Sequence, residues 1–400
     1  MSKKPNLHWM LSPALVVITV GGAVAQMTGW PLTGIAVCFF STLILYSTYS
    51  VKTSQTIRKW AWLIIITFLL GWTIVSATDI ARSSLGVLNI SIALLVYFTL
   101  CDLNARVTDS SATTWKLSLP NMFKTALLLV AFVHASVLLV GYIMFPDMRW
   151  TGLFSDYSQA AIFILFSYGL AAPFIRDKPY GVGLTFLLFL GFFCTFSRTA
   201  NFLLAVFAVF FVYFEVQNKR LNNAVKFCAT LIFALALVYL YPLLVDFNAV
   251  DRNSLNEIRT LNSRTIYWQA AFESIMAHPF WGIGLGNYEY SGIKALRPFH
   301  LISSVHNDYL QVGVELGLLW ALAFLFGAAY LVLRYQPFHF HGKLRFSLKE
   351  TNENKQTAWL LLLCFCLYML INFIVGFFIF QLILAILLYE LREHDECKDS

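Results

Sequence analysis

The chain has 400 residues, of which 59% are hydrophobic and only 12% charged. A soluble globular protein carries charge on about a quarter of its residues, so that class is excluded. The formal charge of +7 needs no nucleic acid as partner, because most basic residues sit in short loops beside apolar runs, where anionic lipid attracts them.

Apolar runs of about 17–25 residues recur from end to end, each long enough to cross a hydrocarbon core of about 30 Å. In chain order they lie at 11–29, 32–50, 60–77, 85–101, 122–145, 157–175, 180–197, 199–216, 225–245, 308–334, 358–374 and 376–391. The expected fold class is an all-α polytopic membrane protein with about twelve transmembrane helices. The last two runs have barely enough residues for two crossings, and a re-entrant hairpin is the alternative there. Lys3 and Lys4 precede the first run without a small-residue cleavage site, which reads as an anchor and not a removed signal.

Alternating sides across these runs puts twenty Lys and Arg on the side of the N-terminus and eight on the other. The positive-inside rule then places both termini in the cytoplasm. Three parts follow: an N-terminal bundle of about nine helices over 1–245, an outer loop over 246–307, and C-terminal transmembrane helices over 308–391. A cytoplasmic tail, 392–400, closes the chain. The seven cysteines fall in or at the ends of apolar runs, or in the tail, so neither a disulfide framework nor a Cys/His metal site is expected.

The outer loop is the informative segment, since loops of that length are functional or disordered and this one is rich in aromatics. Within it, "LNSRTIYWQAAFESIMAHPFWGIGLGNYEY" (261–290) predicts a short amphipathic helix. Asn262 or Ser263 would cap it, Tyr267, Trp268, Ala271, Phe272 and Ile275 would form its apolar face, and Pro279 would close it. Arg264 then falls in the first turn, where a cation faces the positive end of the helix dipole. An anion such as phosphate between them relieves that repulsion. The glycines of "GIGLGN" (282–287) lack the strand-and-helix context of a dinucleotide fingerprint and read instead as a turn for close backbone packing.

Arg198, in "CTFSRTANF" (194–202), falls at the hydrocarbon boundary on the same side. An arginine at that depth faces a wet cavity or snorkels as an anchor. In "SSVHNDYLQVGVELG" (303–317), Asn307, Asp308, Gln311 and Glu315 share one helix face as a polar stripe expected to point into the bundle. His306 stands just ahead of them as a helix-capping histidine or a general base, the latter suited by the ordinary titration range of imidazole. His134, in mid-run, reads as a hydrogen-bonding partner of a neighbouring helix, and Asn372 as glue between helices.

Two arginines and a histidine on the outer face suit a lipid-linked pyrophosphate. The lipid tail would lie between spans, the guanidinium forks would meet the phosphates, and the base would take a proton from an attacking hydroxyl. No acidic ligand cluster suggests a metal, and no cofactor is expected. "SRTA" at 197–200, "NSRTIYWQAAFESIMAHPFWGIGLGNY" at 262–288 and "HNDYLQVGVELGLL" at 306–319 together resemble the O-antigen ligase/polymerase superfamily of bacterial envelope glycosyltransferases. The resemblance implies a GT-C-type membrane fold, an inner-membrane location and a periplasmic active site. Its implied donor is glycan on undecaprenyl pyrophosphate, with Arg198 and Arg264 binding the pyrophosphate and His306 activating the acceptor. Chain length and loop size favour a ligase acting on a lipid A-core acceptor. An O-antigen or exopolysaccharide polymerase and a protein O-oligosaccharyltransferase remain alternatives, as does a non-catalytic transporter of the same lipid-linked glycan.

Overall fold

A computed structural model of the chain describes residues 8–27, 37, 40–41, 71, 77, 79–107, 119–145, 150–154, 156–245, 264–265, 267–288, 305–341, 345–348, 353–372 and 377–396. The runs expected at 32–50 and 60–77 lie almost wholly outside these residues, as do Asn262 and Ser263. Among the described residues there are twelve helices. The first seven are α1 (His8–Met27), α2 (Ile80–Val107), α3 (Leu119–Met144), α4 (Tyr157–Ile175), α5 (Gly181–Phe193), α6 (Arg198–Gln217) and α7 (Leu221–Val245). After them come α8 (267–277, with 264 and 265 also helical), α9 (Asp308–Leu316), α10 (Leu318–Arg334), α11 (Glu353–Met369) and α12 (Phe378–Glu396).

Five of these are long and apolar enough to cross a membrane, namely parts of α2, α3 and α7 and the whole of α4 and α6. Shorter apolar helices include α5 and α10. The last pair is two helices packed together. Each extends about five residues beyond the apolar run that signalled it, to Glu353 at one end and Glu396 at the other.

Helix α4 is the hub. It is buried almost end to end and packs against α3, α5, α6 and α11. Small residues make that possible: a Cβ on Gly169 of α4 would lie 2.5 Å from Leu361 of α11, and one on Gly191 of α5 would lie 2.6 Å from Ala135 Cα of α3. Aromatic rings fill the remaining volume, with Phe166 stacked on Phe365 at 5.5 Å and Tyr168 on Phe227 at 5.9 Å.

Two departures from the sequence reading stand out. The expected run 308–334 is broken at Gly317, whose φ of 97° and ψ of 168° lie in a region open essentially only to glycine. Gly317 N–H closes α9 on Gly313 O, and the next amide, Leu318 N–H, turns to Pro279 O at 2.8 Å. The second departure is a two-stranded hairpin, β1 (Phe338–His341) and β2 (Arg345–Leu348), with Phe338 opposite Leu348 and His341 opposite Arg345. It lies between the apolar runs 308–334 and 358–374. Phe338 holds it against the bundle by packing on Phe210 and Phe214 of α6 and Trp359 of α11.

Polar groups gather at the two ends of the bundle. At one end, Arg176 at the close of α4 pairs with Glu215 of α6 and Glu353 of α11, each at 2.6 Å. Arg220 also pairs with Glu353, Asn218 Nδ2 donates to Gln356 at 3.0 Å, and Lys124 of α3 pairs with Glu390 of α12. The opposite end carries the starts of α4, α6, α8 and α9.

Candidate functional site

The chain entering α9 is held in an unusual conformation. His306 has φ of 56°, left-handed backbone that costs a residue with a Cβ on the order of 1 kcal/mol and clusters at functional positions. The next residue starts the helix: Asn307 Oδ1 accepts from Leu310 N–H at 3.0 Å, an N-cap, while Asn307 Nδ2 donates to Leu370 O at 2.9 Å. His306 is thereby tied to the end of α11 through its neighbour as well as by its own ring.

Its Nδ1 lies 3.2 Å from Asn372 Oδ1. The Asn372 amide in turn donates from Nδ2 to the Tyr368 hydroxyl at 2.7 Å, and Tyr368 donates to Ser158 Oγ at 2.9 Å. Four side chains thus connect α9, α11 and the first turn of α4. The Tyr267 ring of α8 stacks on the imidazole, with centroids 6.1 Å apart and planes 30° apart.

The arginines meet at the same place. Tyr157, the first residue of α4, lies within electrostatic reach of Arg198, Arg264 and Asp156. Arg198 opens α6 behind the Ser197 cap, which accepts from Ala200 N–H at 3.3 Å, and Phe196 just before it takes a left-handed φ of 49°. Asp156 is committed through Oδ1 to capping α4, accepting from Ser158 N–H at 2.7 Å and Gln159 N–H at 3.0 Å. Asp308 is fully buried and, like Asp156, acts electrostatically on Tyr368. Arg198 and Arg264 are thus within electrostatic reach of Tyr157 at the start of α4, and His306 is joined through Asn372 and Tyr368 to Ser158, the next residue.

The polar stripe of α9 divides. Asn307 and Asp308 stay near His306. Gln311 and Glu315 instead hold the turn and loop that pack on α9: Gln311 Oε1 accepts from Val305 N–H at 2.9 Å, its Nε2 donates to Glu315, and Glu315 accepts from the backbone of Gly286 and Tyr288. The loop 282–288 lies on the end of α9 through Ile283 N–H to Val314 O and Gly284 N–H to Glu315 O, at 2.9 and 2.8 Å. Here the glycines serve close approach, since a Cβ on Gly282 would stand 2.4 Å from Glu315 backbone. The loop also reaches α2, where Ser83 Oγ donates to Leu285 O and Asn287 Nδ2 donates to Ser83.

Helix α8 completes this layer. Ala270, Ala271 and Ile275 pack with Ile283, Tyr288, Val305 and Val314 into a second small core, with Trp268 alongside. Phe272, expected on that buried face, is exposed. Burial pushes the Tyr288 phenol up from its ordinary range, and neighbouring Tyr267 pushes it the same way.

Residues 182–326 match the model of the O-antigen ligase family. The match covers α5 to α10 and includes Arg198, Arg264 and His306. It supports the O-antigen ligase/polymerase superfamily for this chain, whose members are membrane glycosyltransferase-like enzymes acting on lipid-linked glycans. No curated protein matches the chain.

The O-antigen ligase-family region stops short of α11, and α4 lies ahead of it. Asp156, Tyr157, Ser158, Tyr368 and Asn372 are therefore the site's contribution from outside the match. Sequence reading passed over the first four and assigned Asn372 to helix packing. One signal was available: Tyr368 and Asn372 are four residues apart at the end of an apolar run, on the side already holding Arg198 and His306. His134 accepts from Leu153 N–H at 3.2 Å in the connection from α3 to α4, lies between the rings of Phe154 and Phe163, and also interacts with the backbone of Ala160 in the neighbouring helix α4.

Proposed function

We propose that the protein is an O-antigen ligase, transferring a glycan from undecaprenyl pyrophosphate to a hydroxyl of the lipid A-core at the periplasmic face of the inner membrane. One feature carries the reading: Arg198 and Arg264, 66 residues apart in sequence, both lie within electrostatic reach of Tyr157 at the tip of α4, next to Ser158, to which His306 is tied through Asn372 and Tyr368.

In this reaction the acceptor oxygen attacks the anomeric carbon, the bond from that carbon to the pyrophosphate oxygen breaks, and the hydroxyl proton passes to His306. Negative charge grows on the departing pyrophosphate. Two guanidinium forks and the surrounding helix N-termini stabilise it without moving, because they are held before the substrate arrives. The lipid chain would lie against the apolar bundle, and Asn307 and Asp308 would support the geometry around the base. Gln311 and Glu315 support the site at one remove, by holding the loop 282–288.

The test is a reconstitution with purified protein, undecaprenyl-pyrophosphate-linked glycan and lipid A-core. Wild type should form capped core, while His306→Ala, still folded in detergent, should lose turnover by about 10²–10⁴-fold, the range a positioned proton acceptor supplies. Full turnover in His306→Ala removes the imidazole from the mechanism. Extension of lipid-linked glycan without core capping makes the enzyme a polymerase, and movement of donor across the membrane without product makes it a transporter.

A further inference from the structure

A histidine serves as a base only if the nitrogen facing the acceptor carries the lone pair. The two ring nitrogens are interchangeable in isolation, so something in the protein must choose between them. Tyr368 gives its hydroxyl hydrogen to Ser158 Oγ, which leaves its oxygen to accept from Asn372 Nδ2. That bond decides which end of the Asn372 amide faces the imidazole: the oxygen, 3.2 Å from His306 Nδ1. An amide oxygen can only accept, so Nδ1 carries the hydrogen and Nε2 of the neutral ring is left basic.

We propose that Asn372 is a positioning residue which, held by Tyr368 and Ser158, fixes His306 in the tautomer whose Nε2 receives the acceptor proton. The proposal rests on the general-base reading of His306. Backbone geometry supports it, because Asn372 N–H bonds to Tyr368 O at 2.9 Å in the turn that follows α11, which keeps the two side chains one turn apart. The ring has little freedom to escape, with Tyr267 stacked on it and its backbone in a left-handed conformation. A neutral amide also has a use that a carboxylate lacks. It selects the tautomer without adding a negative charge that would hold the proton on the imidazolium after transfer.

The experiment reads the tautomer directly, in full-length protein labelled with ¹⁵N-histidine in lipid nanodiscs, with the His306 signals assigned by their loss in His306→Gln. Neutral wild type should show Nδ1 protonated and Nε2 bare. Asn372→Leu should lose that preference and lower kcat by about one to two orders of magnitude with KM for the lipid-linked donor unchanged. Asn372→Asp should restore the Nδ1–H tautomer. Tyr368→Phe, which frees the amide to flip, should give a smaller loss in the same direction, and it replaces Asn372→Leu should that variant not fold. A wild-type ring protonated at Nε2, or a tautomer indifferent to both substitutions, overturns the proposal. If His306→Gln retains transfer while the tautomer follows Asn372, the general-base reading fails and the positioning role stands.

Discussion

Helix α4 carries a different chemistry at each tip. Where it ends, Arg176 sits between Glu215 and Glu353, and its positive charge is taken up by carboxylates of two other helices. Where it begins, Tyr157 is within electrostatic reach of Arg198 and Arg264, and Asp156 Oδ1 caps its own helix. Matched pairs at one end make a clamp that joins α4, α6 and α11. At the other end, cations and helix N-termini are concentrated around a phenol and a histidine held by a neutral amide. Charge is matched within the fold at the first tip, and in the proposed reading the cations at the second serve a ligand.

That contrast can be broken by experiment. The largest effect should come from Arg176→Ala, which removes the partner of buried Glu215 and leaves Glu353 to Arg220, and should lower stability by about 3 kcal/mol, the cost of removing one partner from a largely buried pair. Thermal unfolding in detergent measures it, and turnover per folded molecule should hold. A loss of turnover matching that of the site variants would mean the two ends are not separate.

Next come Arg198→Lys and Arg264→Lys. Each keeps the charge and loses the fork, so turnover should fall about tenfold to a hundredfold with little change in unfolding temperature, as bidentate contacts are stronger and more directional than single ones. Full activity in either would reduce that arginine to an anchor.

The smallest effect sharpens the clamp. Burial disfavours the charged form of Glu353, yet the Arg220 and Arg176 guanidiniums hold its carboxyl below the ordinary carboxylate range. A pKa depressed on folding contributes stability above the unfolded value of about 4.3, and that contribution is lost as pH falls through the folded value. Because Glu353 is partly exposed, the effect should stay within about 1 kcal/mol. Glu353→Gln should flatten the acid limb of the stability–pH curve, and an unchanged limb would take Glu353 out of the clamp.

Much of the molecule was legible beforehand for local reasons. Run lengths located α3, α4, α6 and α7, the aromatic spacing and Pro279 located α8, and the residue types at 198, 264 and 306 suggested the proposed anion site with its base. The errors are all of one kind. Phe272 looked like core by periodicity, but the neighbours that would have covered it cover Ala270 and Ala271 instead. The run 308–334 looked continuous because apolar residues follow Gly317 without pause. What stops the helix is the loop packed on it: Leu318 N–H bonds Pro279 O, and Ile283 N–H takes Val314 O, the acceptor a continuing helix would have used.

Sequence alone determined that this chain is built of apolar helices, where most of the described ones run, and which polar side chains stand out among them, because hydropathy, capping and charge act over a few residues. Tertiary structure decided which polar groups work together. Asn372 reaches His306 across 66 positions and Tyr368 reaches Ser158 across 210, while Gln311 and Glu315, beside the base in sequence, turn away to hold a loop. A hydrogen bond depends on distance in space, and only the packing of α4, α9 and α11 sets those distances.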